Sequence, residues 1–232
     1  MTTLARRLAA EGLGTALLLA TVTGSGVMGT TLAPGNPGLA LLANALATAG
    51  MLYVSIVTLG PLSGAHFNPV VTLVARLRGA LRTHEALAYI AVQILSACAG
   101  VWLAHAMFGL PAIQPGTHAR TGAAQWLSES VATFGLLFTI LLGGRHRPAA
   151  LPALVAGYIF AAYWFTASTS FANPAATIAR SLTQTFAGIR PADVGGFVVA
   201  QVVGAVAAAM AAGWLSSNAP ATDSPADEAA TA

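Results

Sequence analysis

Long apolar stretches separated by short polar connections run along nearly the whole chain. Six of them are uncharged or nearly so and long enough to cross a bilayer as helices. They lie at about 8–30, 39–59, 86–108, 127–142, 149–168 and 195–215. Because six is an even number, both termini are predicted to lie on the same side of the membrane.

Two shorter apolar segments break this pattern. They begin at Asn68-Pro69 and Asn173-Pro174, and each runs for only about ten residues, whereas a crossing helix needs roughly 20. Proline suits the first turn of a helix, where its missing N–H would have no partner. Irregular backbone at membrane depth is tolerated only where protein buries it or where it lines a watery cavity. The two segments therefore predict half-helices beside a pore.

The chain contains an internal repeat. When the two Asn-Pro steps are superposed, Glu11 corresponds to Glu129 and Gln93 to Gln201. The repeats cover about 8–108 and 124–215, within one predicted domain at 1–216. Each contains three spans, so the second is inverted in the membrane relative to the first. The two Asn-Pro loops should enter from opposite sides and meet near the midplane.

Composition and charge agree with a chain surrounded by lipid. Hydrophobic residues make up 56% of the sequence and charged residues 7%. Arginines are more frequent on the predicted face of the N-terminus, which makes both termini cytoplasmic. On that face lie Arg6, Arg7, Arg76, Arg78, Arg82, Arg145 and Arg147, against Arg120, Arg180 and Arg190 on the other. We expect the polar tail, 217–232, to be disordered and cytoplasmic.

Several function classes lack support in the sequence. No nucleophile with a base, metal-ligand cluster or phosphate-binding loop is evident, so we expect no enzymatic activity, no cofactor and no bound metal. The arginines are scattered without interleaved aromatic residues, which argues against nucleic acid. The expected partners are the lipid bilayer and small solutes.

The predicted meeting point has a definite chemistry. Two half-helix N-termini each bring about half an elementary positive charge to the midplane. Asn68 and Asn173 add amide donors in the same place. A neutral solute with a lone pair can accept these bonds, whereas a cation meets an electrostatic barrier.

Paired Asn-Pro motifs in an inverted six-span repeat, with His66 before the first motif and Glu-x-x-x-Thr in spans one and four, resemble the aquaporin or major intrinsic protein family. The resemblance covers about 8–215. It implies an all-α membrane fold of six transmembrane helices and two re-entrant half-helices, assembled as a homotetramer with one pore per subunit. It also implies a central constriction formed by Asn68, Pro69, Val70, Asn173, Pro174 and Ala175.

The sequence departs from the family at positions that should govern selectivity. Val70 replaces alanine in the first motif, and Ala176 replaces the arginine that follows the second. Counting from the asparagines without gaps assigns the family's outer filter to small residues, namely Thr48, Ala161, Ser170 and Ala176. Such a filter resembles that of a bacterial aquaglyceroporin permeable to metalloids, located in the inner membrane. It implies a wide channel for water, glycerol-sized polyols and metalloid hydroxides such as arsenous acid.

Four residues allow more than one interpretation. Arg180 could restore a positive charge at the outer mouth, giving a water-selective pore, or could pack against loop carbonyls or a neighbouring subunit. His66 could line the inner pore or brace its loop. Glu11 and Glu129 could accept bonds from the re-entrant loops, which is the role the family implies, or could relay protons.

Two other function classes compete with a passive channel. Inverted repeats with broken helices also occur in alternating-access carriers. A structural membrane protein with a vestigial pore is the third possibility, against which the two asparagines argue.

Overall fold

The computed structural model describes residues 2–217. Within that part of the chain the regular structure is entirely helical, as the apolar pattern predicted. Eight α-helices follow in order, together with single 3₁₀ turns at Pro148–Ala150 and Pro191–Asp193. The helices are α1 (Leu4–Leu32), α2 (Pro37–Ser63), α3 (Pro69–Leu77), α4 (Thr83–Met107), α5 (Ala123–His146), α6 (Leu151–Phe165), α7 (Pro174–Arg180) and α8 (Val194–Ser216).

Six of these helices, α1, α2, α4, α5, α6 and α8, are long and apolar enough to cross a membrane, α6 when it is taken together with the 3₁₀ turn that precedes it. Helices α3 and α7, with 9 and 7 residues, are the expected half-helices. The fold class is therefore confirmed. The predicted tail at 217–232 lies outside the described residues except for Ser217, which is in a turn.

The helix ends in the structure differ in two ways from the ends of the apolar stretches in the sequence. Most helices extend beyond them, since end turns carrying arginine, such as Arg6 in α1 and Arg145 in α5, remain helical. Helix α6 instead stops at Phe165, three residues before the predicted end at 168. Thr166 takes an extended conformation there, and the chain turns inward toward the second Asn-Pro motif.

Each half-helix packs against both halves of the chain. Helix α1 packs on α2 and α4, and α5 packs on α6 and α8. Val70 and Val74 of α3, from the first half, lie in an apolar cluster with Leu136 of α5 and Ala205 of α8. Ala176 and its neighbours in α7 lie in a cluster with residues of α1 and α4. Each half-helix therefore joins the cores of both halves, since α3 also contacts α4 and α7 also contacts α8.

Glycine permits the closest helix crossings in both halves. A Cβ atom on Gly100 of α4 would lie 2.2 Å from the carbonyl oxygen of Ala16 in α1. A Cβ on Gly204 of α8 would lie 2.2 Å from the carbonyl oxygen of Ser130 in α5. Backbone leaves no room for a side chain here, and small residues at such contacts are the usual way in which membrane helices approach closely.

We predict that Gly100→Ala separates α1 from α4 and lowers stability by roughly 1–3 kcal/mol, the usual cost of overpacking. The measurement is the midpoint temperature of thermal unfolding in detergent, followed as the loss of the monodisperse fraction on heating. Gly50→Ala is the control, because its Cβ would meet nothing within 4 Å in a helix of similar length. An unchanged midpoint for Gly100→Ala would contradict the crossing described here.

Candidate functional site

The first re-entrant loop is held by one buried carboxylate. Glu11 in α1 is fully buried. Its Oε1 accepts the backbone N–H of His66 at 2.9 Å, and its Oε2 accepts that of Phe67 at 2.7 Å. Gln93 of α4 also donates to Oε2 at 2.9 Å. Two backbone donors that have no helical partner are satisfied by this one side chain.

The second loop is held in the same way. Glu129 of α5 is also fully buried, and its two oxygens accept the N–H groups of Phe171 and Ala172, both at 2.9 Å. Gln201 of α8 donates to Glu129 Oε2 at 2.6 Å. The residues that the internal repeat aligned therefore make equivalent contacts.

Both loops have unusual backbone conformations that make these contacts possible. The residues one and three positions before each asparagine have positive φ although none is glycine. Such conformations cost energy and persist only where the surroundings hold them. The residues are Ala65 (φ 50°) and Phe67 (49°) in the first loop, and Ser170 (50°) and Ala172 (48°) in the second.

The two asparagines join the loops at the centre. Asn68 Oδ1 accepts the N–H of Val70 at 3.1 Å, and Asn173 Oδ1 accepts that of Ala175 at 3.0 Å, so each side chain caps its own half-helix. Each Nδ2 donates across the centre at 2.8 Å, Asn68 to the carbonyl of Ala172 and Asn173 to that of Phe67. An amide NH₂ has two hydrogens, so one donor on each asparagine remains for a solute.

A cavity of about 310 Å³ runs past this centre. It extends from Arg78, on the face where α1 begins, through Asn68 and Asn173 to Arg180 on the opposite face. Apolar side chains of α2, α5 and α6 line much of it, and no carboxylate from the described residues does so. The cavity thus connects the two ends of the bundle through a pair of amide donors.

The structure brings most of the predicted site residues to this cavity. The predicted residues that line it are His66, Asn68, Asn173, Thr48, Ser170, Ala176 and Arg180. Four others predicted for the central constriction lie behind the wall, since Pro69, Val70, Pro174 and Ala175 are buried and do not line the cavity. Val70 packs in the apolar cluster between α3 and the second half of the chain.

The assignment of Ala161 to the outer filter does not match the structure. Ala161 is exposed on the outside of α6, whereas Val155, Ile159 and Tyr163 of the same helix line the cavity. Ala161 is two residues from both Ile159 and Tyr163, which places it about 200° around the helix from them. Tyr163 occupies the region near Thr48, and their hydroxyl oxygens are 3.3 Å apart.

His66 combines the two roles considered for it. Its ring lines the cavity, and its Nδ1 lies 3.0 Å from the hydroxyl oxygen of Thr72 in α3. The ring also packs on Tyr89 of α4 with centroids 5.5 Å apart. The side chain thus faces the cavity and braces the loop at the same time.

Arg180 likewise combines two of its alternatives. It lines the end of the cavity opposite Arg78, which is called the outer end after the orientation predicted from the sequence, and its Nε donates to the loop carbonyl of Ala187. Its guanidinium carbon lies 3.3 Å from the ring centroid of Phe171, a cation–π contact. Sequence reasoning missed Phe171 and Tyr163, although both are aromatic residues close to the second motif.

Chemically, this arrangement can pass a small solute. Among residues 2–217 no group of three or more histidine, cysteine, aspartate or glutamate side chains could hold a metal ion. Two inverted three-span halves around an amide-lined cavity define a multi-pass membrane channel.

Comparison with known proteins identifies the family. Residues 1–163 match the family model of the major intrinsic protein, and the chain belongs to this family of channels. It is 55% identical over 212 residues to the aquaglyceroporin AqpS of Rhizobium meliloti, covering 91% of each chain. It is 31% identical over 246 residues to the aquaporin AqpM of Methanothermobacter marburgensis, covering 94% of this chain and 100% of that one.

A solved structure shares the fold. The aquaglyceroporin from Plasmodium falciparum superposes with a TM-score of 0.71 at 18% identity, over 90% of this chain and 95% of that one. The resemblance inferred from the paired motifs is therefore confirmed, and family membership identifies a channel and not an enzyme.

We predict that Glu129→Gln lowers stability without changing the pH dependence of flux. A glutamine can accept with only one of its two end atoms, so one loop N–H loses its acceptor at a cost of about 1–3 kcal/mol. The thermal midpoint in detergent measures this. Glu85→Gln is the control, because Glu85 pairs with Arg7 at a partly exposed position. Normal stability with altered pH dependence of flux would support the proton relay instead.

Proposed function

We propose that this chain is a passive channel for small neutral solutes, namely water, glycerol-sized polyols and metalloid hydroxides such as arsenous acid. The observation that carries the proposal is the cavity of about 310 Å³ that passes Asn68, Asn173 and Ala176. At Ala176 a methyl group stands where the family's arginine would narrow the passage.

The walls suit solutes that are apolar on one side and hydroxylated on the other. Hydroxyl oxygens can accept the free amide hydrogens of Asn68 and Asn173, while carbon-bound hydrogens contact apolar walls such as Ile159 and Val71. Cations meet the positive ends of α3 and α7 and find no carboxylate on the wall formed by the described residues. Neutral hydroxylated solutes are therefore favoured over ions.

The outer end is less uniformly small than the sequence predicted. Tyr163, Phe171 and Arg180 line it beside Thr48 and Ala176. An aromatic surface gives a polyol's carbon chain a place to pack, which agrees with a channel for glycerol-sized solutes. The 55% identical relative carries the name aquaglyceroporin, and this name favours the same class of solute.

A water-selective channel is the second candidate. One observation favours it, because the buried guanidinium of Arg180 lines the outer end of the cavity. In this case Arg180 would narrow the passage one helical turn beyond Ala176. An alternating-access carrier has less support, because the two carboxylates buried within the spans, Glu11 and Glu129, already hold backbone donors.

We also propose the bacterial inner membrane as the location, with both termini cytoplasmic. The arginine asymmetry between the two faces supports this orientation. A homotetramer with one pore per subunit is consistent with the cavity, whose wall one chain forms by itself. It is also consistent with large apolar side chains exposed around the bundle, such as Leu95 and Trp214.

We predict that Ala176→Arg lowers glycerol flux at least about tenfold, an added barrier of ~1.4 kcal/mol, and lowers water flux less. The arginine side chain occupies space that a polyol needs. Stopped-flow swelling of proteoliposomes measures both fluxes, and uptake of arsenous acid is measured beside them.

The matched control is Ala161→Arg, which places the same side chain on the outside of α6, near its end, where it can reach the membrane surface. This control should keep wild-type flux. Unchanged glycerol flux in Ala176→Arg would show that Ala176 is not at the filter. Water flux alone in the wild type would favour the water-selective candidate.

A further inference from the structure

Two buried arginines contact one aromatic ring at the outer end of the cavity. Arg180 is 3% exposed and Arg120, in the connection between α4 and α5, is 7% exposed. Their guanidinium carbons lie 3.3 and 4.9 Å from the ring centroid of Phe171. Two positively charged groups therefore lie close to one phenyl ring.

Neither guanidinium forms an ion pair in the described part of the chain. Arg120 donates from Nε to the carbonyl of Gly188 at 3.1 Å and from Nη1 to that of Ser168 at 3.0 Å. Arg180 donates from Nε to the carbonyl of Ala187. Burial lowers the pKa of Arg120 to about 10, so it stays charged at neutral pH.

The carboxylates of this region have other partners. Glu129 accepts the backbone donors of the second re-entrant loop. Asp193 accepts the backbone N–H of Arg120 at 2.8 Å and pairs with the side chain of Arg190 at 2.9 Å. Buried charges in proteins are ordinarily paired, because an isolated one is costly to remove from water. The outer end therefore has excess positive charge.

Arg180 has donors left for a ligand. It lines the cavity, and its Nη atoms donate to no group among residues 2–217. A guanidinium presents these N–H groups as a planar fork that matches two coplanar oxygens of an anion. The hydroxyl group of Ser170, which is buried and without a hydrogen-bond partner in this part of the chain, lines the same cavity.

We propose that the outer end of the cavity is a binding site for a small, singly charged oxyanion with two coplanar acceptor oxygens, such as nitrate or a short carboxylate. Arg180 holds the anion directly with its two Nη groups. Arg120, which contacts the same ring of Phe171, adds positive charge nearby. This proposal rests on the proposed channel function in one respect: a bound anion stands in the solute path and reduces the flux of neutral solutes.

The test uses the full-length protein and nitrate as the probe. Calorimetric titration in detergent measures nitrate binding, and it does not depend on conduction. Stopped-flow swelling measures water and glycerol flux as nitrate replaces chloride at constant ionic strength. We expect saturable binding of nitrate, weaker binding of chloride, which lacks the two oxygens, and a saturable fall in flux with the same apparent affinity.

Arg180→Leu should weaken nitrate binding about 10-fold or more, as expected for loss of a charged hydrogen-bond donor, and should abolish the block of flux. Arg190→Leu is the matched control, since Arg190 lies on the same face with a partly exposed side chain paired to Asp193. Its nitrate affinity should stay at the wild-type value. If Arg180→Leu does not fold, Arg180→Lys keeps the charge without the planar fork and should show reduced preference for nitrate over chloride.

Equal binding of nitrate by the wild type and Arg180→Leu, or no binding by the wild type, would overturn the proposal. Nitrate binding that leaves flux unchanged would overturn its position in the solute path. A wild type that binds nitrate but conducts no solute in chloride would support the anion site while contradicting the proposed channel.

Discussion

A buried carboxylate that accepts the backbone N–H groups of a re-entrant loop is the contact on which this structure depends. Such a loop enters the membrane without helical hydrogen bonds, and lipid offers none in exchange. Glu11 and Glu129 each accept two of these donors. The loops can then hold residues such as Phe67 and Ala172 at positive φ, which directs their carbonyls to the asparagine of the opposite loop.

The half-helices make the two halves depend on each other. Helix α3 packs on α4 of its own half and on α8 of the second, α7 packs on α8 of its own half and on α4 of the first, and the amide of each asparagine bonds to the other loop. Without the other half, each half-helix would lose part of its apolar contacts and each asparagine amide would lose the carbonyl to which it donates. The duplicated sequence therefore specifies one cooperative unit, and the pore forms only where the two halves meet.

The sequence predicted those features that follow from a strong local signal. Span length, the Asn-Pro steps and the aligned glutamates and glutamines were sufficient for the six helices, the half-helices and the inverted repeat. Counting from Asn173 also brought Ser170 and Ala176 to the cavity, since only the loop and half-helix intervene. The same count did not bring Ala161 to the cavity, since α6 ends at Phe165 and helical geometry does not extend across the non-helical residues between it and Asn173.

The burial of Arg120 had no such local signal. In the sequence it is one more arginine in a polar connection, where it entered only the charge count between faces. Its place beside Phe171 depends on the carbonyls of Ser168 and Gly188, 48 and 68 residues further along the chain. Contacts of that range arise from the complete fold, so no window of sequence around Arg120 contains them.

At the outer end, different residues set the width of the passage and its positive charge. A single arginine at position 176 would set both. Ala176 leaves space in the passage, while Arg180, about 6 Å further along the helix axis, keeps a positive charge at the same end of the cavity. Phe171 and the carbonyl of Ala187 hold that charge in place. Under the proposed function, the passage can therefore be wide enough for a polyol and still oppose cations, because its width and its charge belong to different residues.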